Sequence, residues 1–289
     1  MVIVRVQGGL GNQMFQYGFA KYQELSNEEV YLDITDYQTH IHHYGFELEK
    51  VFSNLTYKTI DGERLNKVRA NPNMLLNRML NKVLNIQIVR GSEFREQPAV
   101  SVSKRYTYNK DIYFNGFWAN NEYVDAVKDT LKKDFTFKYI LEGRNRELMD
   151  FLQGKISVGV HVRRGDYLQE KELRDVCDPD YYRKAFEIFM KRDVKTVFII
   201  FSDDIPWVRK NFHFSKNMVF VDWNSGGEKS HVDMQMMSLC NHNIIANSTF
   251  SWWGAWLNAN KDKCVVAPRY WRNNSKNESL IYPKNWMLL

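Results

Sequence analysis

Two adjacent arginines stand in the segment His161-Val162-Arg163-Arg164-Gly165-Asp166-Tyr167, directly after the apolar run Ile156 to Val160. An apolar run that ends at a glycine reads as a buried strand and its turn. In an open parallel sheet the carboxyl end of a strand is where ligands bind. A guanidinium is a planar fork of donors that matches phosphate oxygens in two-point fashion, so the pair suits a diphosphate. The competing reading is a surface cluster in which Arg163 and Arg164 are ion-paired with Asp166.

A second segment, Ala246-Asn247-Ser248-Thr249-Phe250-Ser251-Trp252-Trp253-Gly254-Ala255-Trp256-Leu257-Asn258, reads as a strand end, a polar turn and an aromatic helix. Free backbone N–H groups at a helix start, with hydroxyls beside them, attract anions. Ser248 or Thr249 could equally be a plain helix cap, with the tryptophans in the core. Both turns are expected at the carboxyl edge of one sheet, and that coincidence favours a diphosphate site.

Carboxylates are expected at the same edge, in Ser202-Asp203-Asp204 and in Val221-Asp222-Trp223-Asn224. They could accept hydrogen bonds from ribose hydroxyls or from a guanine N1–H and amino group, or cap the following helix. Asp178-Pro179-Asp180 mimics a D-x-D metal signature, but Asp, Pro and Asp in that order are a complete helix start, so no metal is expected. Ser230-His231-Val232-Asp233 reads as a capping box. The turn Gly8-Gly9-Leu10-Gly11 lacks the full dinucleotide spacing. Its Asn12 and Gln13 suit hydroxyl groups, which assigns this turn to the wall facing an acceptor.

The elements that must position these residues follow from periodicity. The first strand runs into the glycine turn, and Met14, Phe15, Tyr17, Phe19 and Ala20 recur at helical spacing up to about Leu25, before a strand at Val30 to Asp33. From Asp61 to Arg95 the chain is mostly helix-permissive, and from Tyr106 to Tyr123 the order of elements is not legible. After Lys155 the alternation is regular: strands at 156–162, 196–202, 218–221, 243–246 and 264–267, helices near 180–192, 205–212, 231–240 and 250–259. That pattern predicts a parallel sheet covered on both faces. The expected division is a 1–150 α/β acceptor-side domain and a 151–289 Rossmann-like domain that carries the diphosphate-competent turns.

Composition narrows the class. The formal charge of +6 over 289 residues comes from dispersed basic residues, which argues against nucleic acid as a partner. Cys177, Cys240 and Cys264 form no C-x-x-C pair, which argues against a disulfide framework or structural zinc and for a reducing compartment. The opening Met1-Val2-Ile3-Val4-Arg5-Val6 reads as a strand, neither a signal peptide nor a membrane span.

The segments Gly8 to Tyr17, His161 to Tyr167, Ser202 to Asp204 and His242 to Asn258 together resemble the bacterial α-1,2-fucosyltransferases of glycosyltransferase family 11. The resemblance implies a GT-B-like α/β fold, two Rossmann-like domains facing a cleft, with the carboxyl-terminal parallel sheet binding the nucleotide sugar. It implies GDP-fucose as donor, a galactose-terminated glycan as acceptor, an inverting transfer to O2 of galactose in surface glycan or O-antigen synthesis, and no cofactor or metal. The absence of the anchor found in eukaryotic relatives implies a bacterial cytoplasmic enzyme, free or in peripheral contact with the inner membrane. Donor contacts are expected from Arg163, Arg164, Ser202, Asp203, Asp222, Asn247, Ser248, Thr249 and Phe250, and acceptor contacts from Asn12 and Gln13. Catalytic roles are expected for Arg163, as cation for the leaving phosphate, and for His161 or Asp166 as general base. The alternatives are a GDP-sugar transferase of other donor or linkage, a catalytically silent glycan-binding protein, and a nucleic-acid binder.

Overall fold

A computed structural model describes residues 1–39, 44–69, 93–96, 111–224, 229–273, 275 and 280–289. The chain forms two compact units, Met1–Lys138 and Tyr139–Leu289.

In the first unit, β1 (Val2–Arg5), β2 (Val30–Asp33), β3 (Glu93–Arg95) and β4 (Ile112–Asn115) form a sheet in the order β2-β1-β4-β3. Every pairing in it is parallel. The glycine turn leads from β1 into the helix Leu10–Glu24, whose aromatic stripe is buried. Phe19 stacks on Trp118 with centroids 4.4 Å apart, and Tyr17 donates from its hydroxyl to Asp134 Oδ2 at 2.6 Å. The chain runs to β2 on one side of β1 and later to β4 on the other. The carboxyl end of β1, where the glycine turn lies, is therefore a topological switch point.

In the second unit, β5 (Ser157–Val162), β6 (Val197–Ser202), β7 (Met218–Phe220), β8 (His242–Ile244), β9 (Val265–Ala267) and β10 (Met287–Leu288) form a sheet in the order β10-β9-β8-β5-β6-β7. It too is parallel throughout. The chain moves from β5 outward to β6 and β7, then returns to β8 on the far side of β5, so the switch point of this sheet lies between β5 and β8. Alternation along β5 sorts its residues to two faces. Val158, Val160 and Val162 pack with Tyr182, Ala185, Phe186 and Phe189 of the helix Pro179–Arg192 and with Val208 of the helix Ile205–Asn211. Gly159 and His161 face the opposite layer, the helices Ser230–Leu239 and Thr249–Leu257.

The strands and helices expected after Lys155 all form, with ends shifted by a few residues at most. Trp252 and Trp253 are fully buried, as core residues. β10 carries too short a pattern to read, and β4 falls in the stretch whose order was not legible. Of the helix-permissive stretch, Gly62–Arg69 is helical and Glu93–Arg95 is a strand, while 70–92 lies outside the described residues, as does 106–110. The helix Gly143–Phe151 opens the second unit, since Asn145 is hydrogen-bonded to Asn224 and Trp223 there. No helix among the described residues is long and apolar enough to cross a membrane.

Met237 is wedged between the sheet and the tryptophan helix. A Cβ on Gly254 would stand 3.0 Å from Met237 Cβ, and a Cβ on Gly159 would stand 3.1 Å from Asn243 Nδ2. Gly254→Ala is expected to overpack this layer and lower unfolding free energy by about 1–3 kcal/mol, measured by denaturant titration. An unchanged midpoint would show that the layer relaxes freely.

Candidate active site

The arginine turn is organised by Asp203, which follows β6. Its Oδ1 accepts from the backbone N–H of Arg164 at 2.9 Å and its Oδ2 stands 3.1 Å from Arg163 Nη1. Arg163 Nη2 also meets Asp166 Oδ1 at 2.7 Å, and Arg164 Nε meets Asp204 Oδ2 at 3.1 Å with its guanidinium 3.5 Å over the Trp207 ring. Gly165 is required by contact, because a Cβ there would lie 2.5 Å from Asp203 Oδ2. Of the surface reading's ion pairs, Arg163 with Asp166 is present, while Arg164 is paired with Asp204 instead. These pairs hold two guanidiniums at the carboxyl edge of the sheet with roughly a quarter of each side chain exposed.

Across the switch point, Ser248 is the N-cap of the helix Thr249–Leu257 with no side-chain capping bond. Its hydroxyl is hydrogen-bonded to Tyr167, whose own hydroxyl donates to Asn247 O at 3.1 Å, and burial pushes that phenol up to about 12. The start of the helix is thus tied to the short 3₁₀ turn Asp166–Gln169. Phe250 lies against the His161 ring, centroids 5.3 Å apart.

Several expected roles change. His161 is 5% exposed, and burial, with the Arg163 charge beside it, pushes its imidazole down to about 3. A base that weak cannot take a proton from an acceptor, so His161 is corrected from base to neutral, buried ring. Asn247 donates to Leu173 O and Trp271 O and accepts from Cys177 Sγ, so its side chain binds loops together rather than facing a donor. Asp222 is ion-paired with Arg209 at 2.7 Å on the exposed end of β7. Ser202 accepts from Asp204 N and shapes the turn, and Asp204 caps the following helix through Trp207 N. Asp178 caps its helix as expected.

The capping box at Ser230 does not form, since the N-cap is Lys229. Asp233 instead accepts from Asn224 Nδ2 at 2.7 Å, and burial pushes its carboxyl up to about 7. Asn224 is held in turn by Asn145, whose Oδ1 also accepts from Trp223 Nε1. Sequence reading missed this carboxyl because a Ser-x-x-Asp pattern is a strong local signal for a cap, whereas its partner lies nine residues earlier.

In the first unit Gln13 is fully buried and used up. It donates to Gly8 O and Gly45 O and accepts from Glu47 N, a correction to its expected acceptor role. Tyr37 donates to Gly8 O at 2.6 Å. Glu47, also missed, accepts at Oε2 from the backbone N–H of Leu10, the first residue of its helix, at 3.0 Å. Asn12 lies under Gly8 in the same turn, its Nδ2 2.6 Å from where a Gly8 Cβ would be.

Two parallel sheets, each with a polar, glycine-containing turn at its switch point, define a GT-B-like α/β fold of the kind used by nucleotide-sugar transferases. The fucosyltransferase NodZ from Bradyrhizobium has this architecture, with a TM-score of 0.50 and 14% identity over 88% of this chain and 91% of that one. The sequence model of glycosyl transferase family 11 matches residues 1–289, and the chain belongs to that family. It is 33% identical to the alpha-1,2-colitosyltransferase of Escherichia coli over 99% of this chain and 98% of the relative. It is 31% identical to the O-antigen biosynthesis glycosyltransferase WbnK of Escherichia coli over 98% and 99%. The galactoside alpha-(1,2)-fucosyltransferase 1 of Bos taurus is 29% identical over 54% of this chain and 47% of that enzyme.

The His161 assignment has a pH consequence. An imidazole held neutral in the folded state and free to protonate at its usual 6.5 when unfolded contributes stability that is complete above pH 6.5 and is lost as pH falls toward 3. The loss is on the order of 3 kcal/mol by pH 4.5. Thermal melts at pH 7.5 and 4.5 are expected to fall less for His161→Phe than for the wild type. Equal falls would place the ring in contact with solvent.

Proposed function

We propose that the protein is an inverting glycosyltransferase that moves L-fucose from GDP-β-L-fucose to O2 of a terminal galactose. The observation that carries this reading is the pairing, at one switch point, of the Arg163-Arg164 turn with the helix start at Ser248. Such a pair of turns suits a diphosphate. Family membership supports sugar transfer. The names of the full-length colitosyltransferase and the partial-length fucosyltransferase relatives both carry an α-1,2 linkage. Colitose is fucose without its 3-hydroxyl, so a colitosyl donor is the reading that competes within the same chemistry.

In this reaction the acceptor oxygen bonds to C1 of the sugar as the C1–O bond to the β-phosphate breaks, and GDP leaves with the electron pair. Negative charge grows on the β-phosphate. Arg163 and Arg164, with the backbone amides of Ser248 and Thr249 and the Thr249 hydroxyl, are the groups assigned to it, and cations already fixed by Asp203, Asp204 and Asp166 need little reorganisation. Asp166 and Asp203 hold Arg163 rather than move protons. Asp233, backed by Asn224, is assigned to the donor's base, where one carboxylate can accept from both N1–H and the amino group of guanine. Asn12 remains the assigned acceptor contact, and the glycan acceptor and the lack of a metal requirement are part of the same proposal.

The test is turnover of GDP-fucose, GDP-colitose and GDP-mannose against a panel of β-galactosides with EDTA present, followed by linkage analysis. A Fuc-α-1,2-Gal product is expected. A preference for GDP-colitose would move the donor to the 3-deoxy sugar, and donor binding without any transfer would favour a silent binder. Arg163→Ala is expected to lower turnover roughly 10²-fold or more, with an unchanged melting temperature. Asp233→Asn is expected to narrow the preference for GDP over IDP, which lacks the amino group, and an unaltered preference would remove Asp233 from the base site.

A further inference from the structure

We propose that the amino edge of the second sheet docks the protein on the surface of an anionic phospholipid bilayer. This edge lies opposite the arginine turn and is built from the segments that lead into the strands. Residues 151–156 lead into β5, 193–196 into β6, 212–217 into β7, 239–241 into β8 and 258–264 into β9. Hydrogen bonds join these segments into one ledge. Asn260 Nδ2 donates to Asn241 O, the Ser157 N–H donates to Asn241 Oδ1, the Val197 N–H donates to Ile156 O, and Asn217 Nδ2 donates to Val194 O.

The ledge carries large apolar side chains in the open. Val194 is 74% exposed, Leu239 55%, Phe151 52% and Ile156 41%. They stand in the approaches to β6, β8 and β5, which are neighbours in the sheet order β8-β5-β6, so they lie along the middle of the edge. A single exposed apolar residue needs no explanation, whereas four on adjoining segments of one edge form a patch. Val194 has no local reason to occupy the loop Asp193-Val194-Lys195, where Asn, Gly or Ser turns a chain more readily.

Charge selects the occupant. Lys155, Lys191, Arg192, Lys195, Lys216 and Lys261 are all exposed around this edge. Among the described residues Lys191, Lys195, Lys216 and Lys261 enter no ion pair. The acids beside them are fewer, and Asp193 Oδ1 is taken by the Lys195 N–H while Asp150 is paired with Arg146. A second copy of this chain docked edge to edge would set these cations against one another. An anionic bilayer answers both features, since apolar tips enter the headgroup boundary and the cations around them meet a negative surface. Lys155 already lies over the Phe151 ring, its Nζ 4.0 Å from the centroid, which joins a cation to an apolar tip as an interfacial anchor does. The arginine turn, at the far end of the six-residue β5, then faces water about 20 Å from the lipid.

The experiment is flotation of the full chain with vesicles of phosphatidylcholine alone and of phosphatidylcholine with one-quarter phosphatidylglycerol, at low and high salt, beside analytical sedimentation without lipid. Binding is expected to the anionic vesicles, weakened by salt, with little to the neutral ones. Lys191→Glu with Lys195→Glu is expected to lower partitioning roughly 10-fold or more, and Val194→Ser with Leu239→Ser about 10-fold, both at an unchanged melting temperature. Lys128→Glu with Lys132→Glu, on a helix of the first unit, alters net charge by the same amount and is expected to leave binding as it is. The proposal is overturned by a protein that stays off anionic vesicles at low salt, by binding that the edge variants leave intact, or by equal losses from the two charge reversals. Self-association of the wild type that the serine variant abolishes, without vesicle binding, would make the edge a contact between copies and overturn it as well.

Discussion

The Asp203 carboxylate is the interaction on which the candidate site depends. Its two oxygens hold the backbone of Arg164 and the side chain of Arg163, and they occupy the space that any residue other than glycine would need at position 165. Asp203 itself follows β6, the direct neighbour of β5 in the sheet, so sheet register fixes the turn that carries the arginines. Guanidiniums fixed in this way are attractive to a diphosphate because their orientation is set before the ligand arrives. A flexible pair would spend part of the binding energy on ordering.

The same logic is built twice in the chain. Each sheet is parallel, each has a switch point, and each places there a turn whose polar side chains are held in place, by carboxylates in the second unit and by bonds to backbone in the first. In the second unit the fixed groups are cations, suited to a leaving anion. In the first they are an amide and a carboxylate, Gln13 and Glu47, around a glycine turn. Buried polar groups in both cases are stabilised by hydrogen bonds, with His161 Nδ1 one of the few buried side-chain atoms among the described residues that lack a partner.

Much of the second unit was legible because its strands are continuously apolar and its helices open on strong local signals such as Asp178-Pro179. The arginine turn and the Ser248 helix start were legible for the same reason, since both directly follow such strands. What sequence could not show were partners distant along the chain. Asn247 looks like a ligand contact until Leu173 and Trp271 are seen to fill its donors. Gln13 looks open until Gly45 and Glu47 close on it. Asp233 looks like a cap until Asn224 claims it. Nothing near Glu47 in sequence marks it, because its burial and its place at Leu10 N–H arise from a separate stretch of chain folding over the glycine turn.

The central claim is that the switch point of the second sheet is a diphosphate site. Calorimetric titration of the wild-type protein with GDP and with GMP, in EDTA and at two salt concentrations, tests it most directly. The arginine turn and helix start should give GDP an advantage of roughly 10²-fold over GMP, the worth of one or two charge-assisted hydrogen bonds, and salt should shrink it. Equal affinity for GDP and GMP would mean that Arg163 and Arg164 are a surface ion-pair cluster and nothing more.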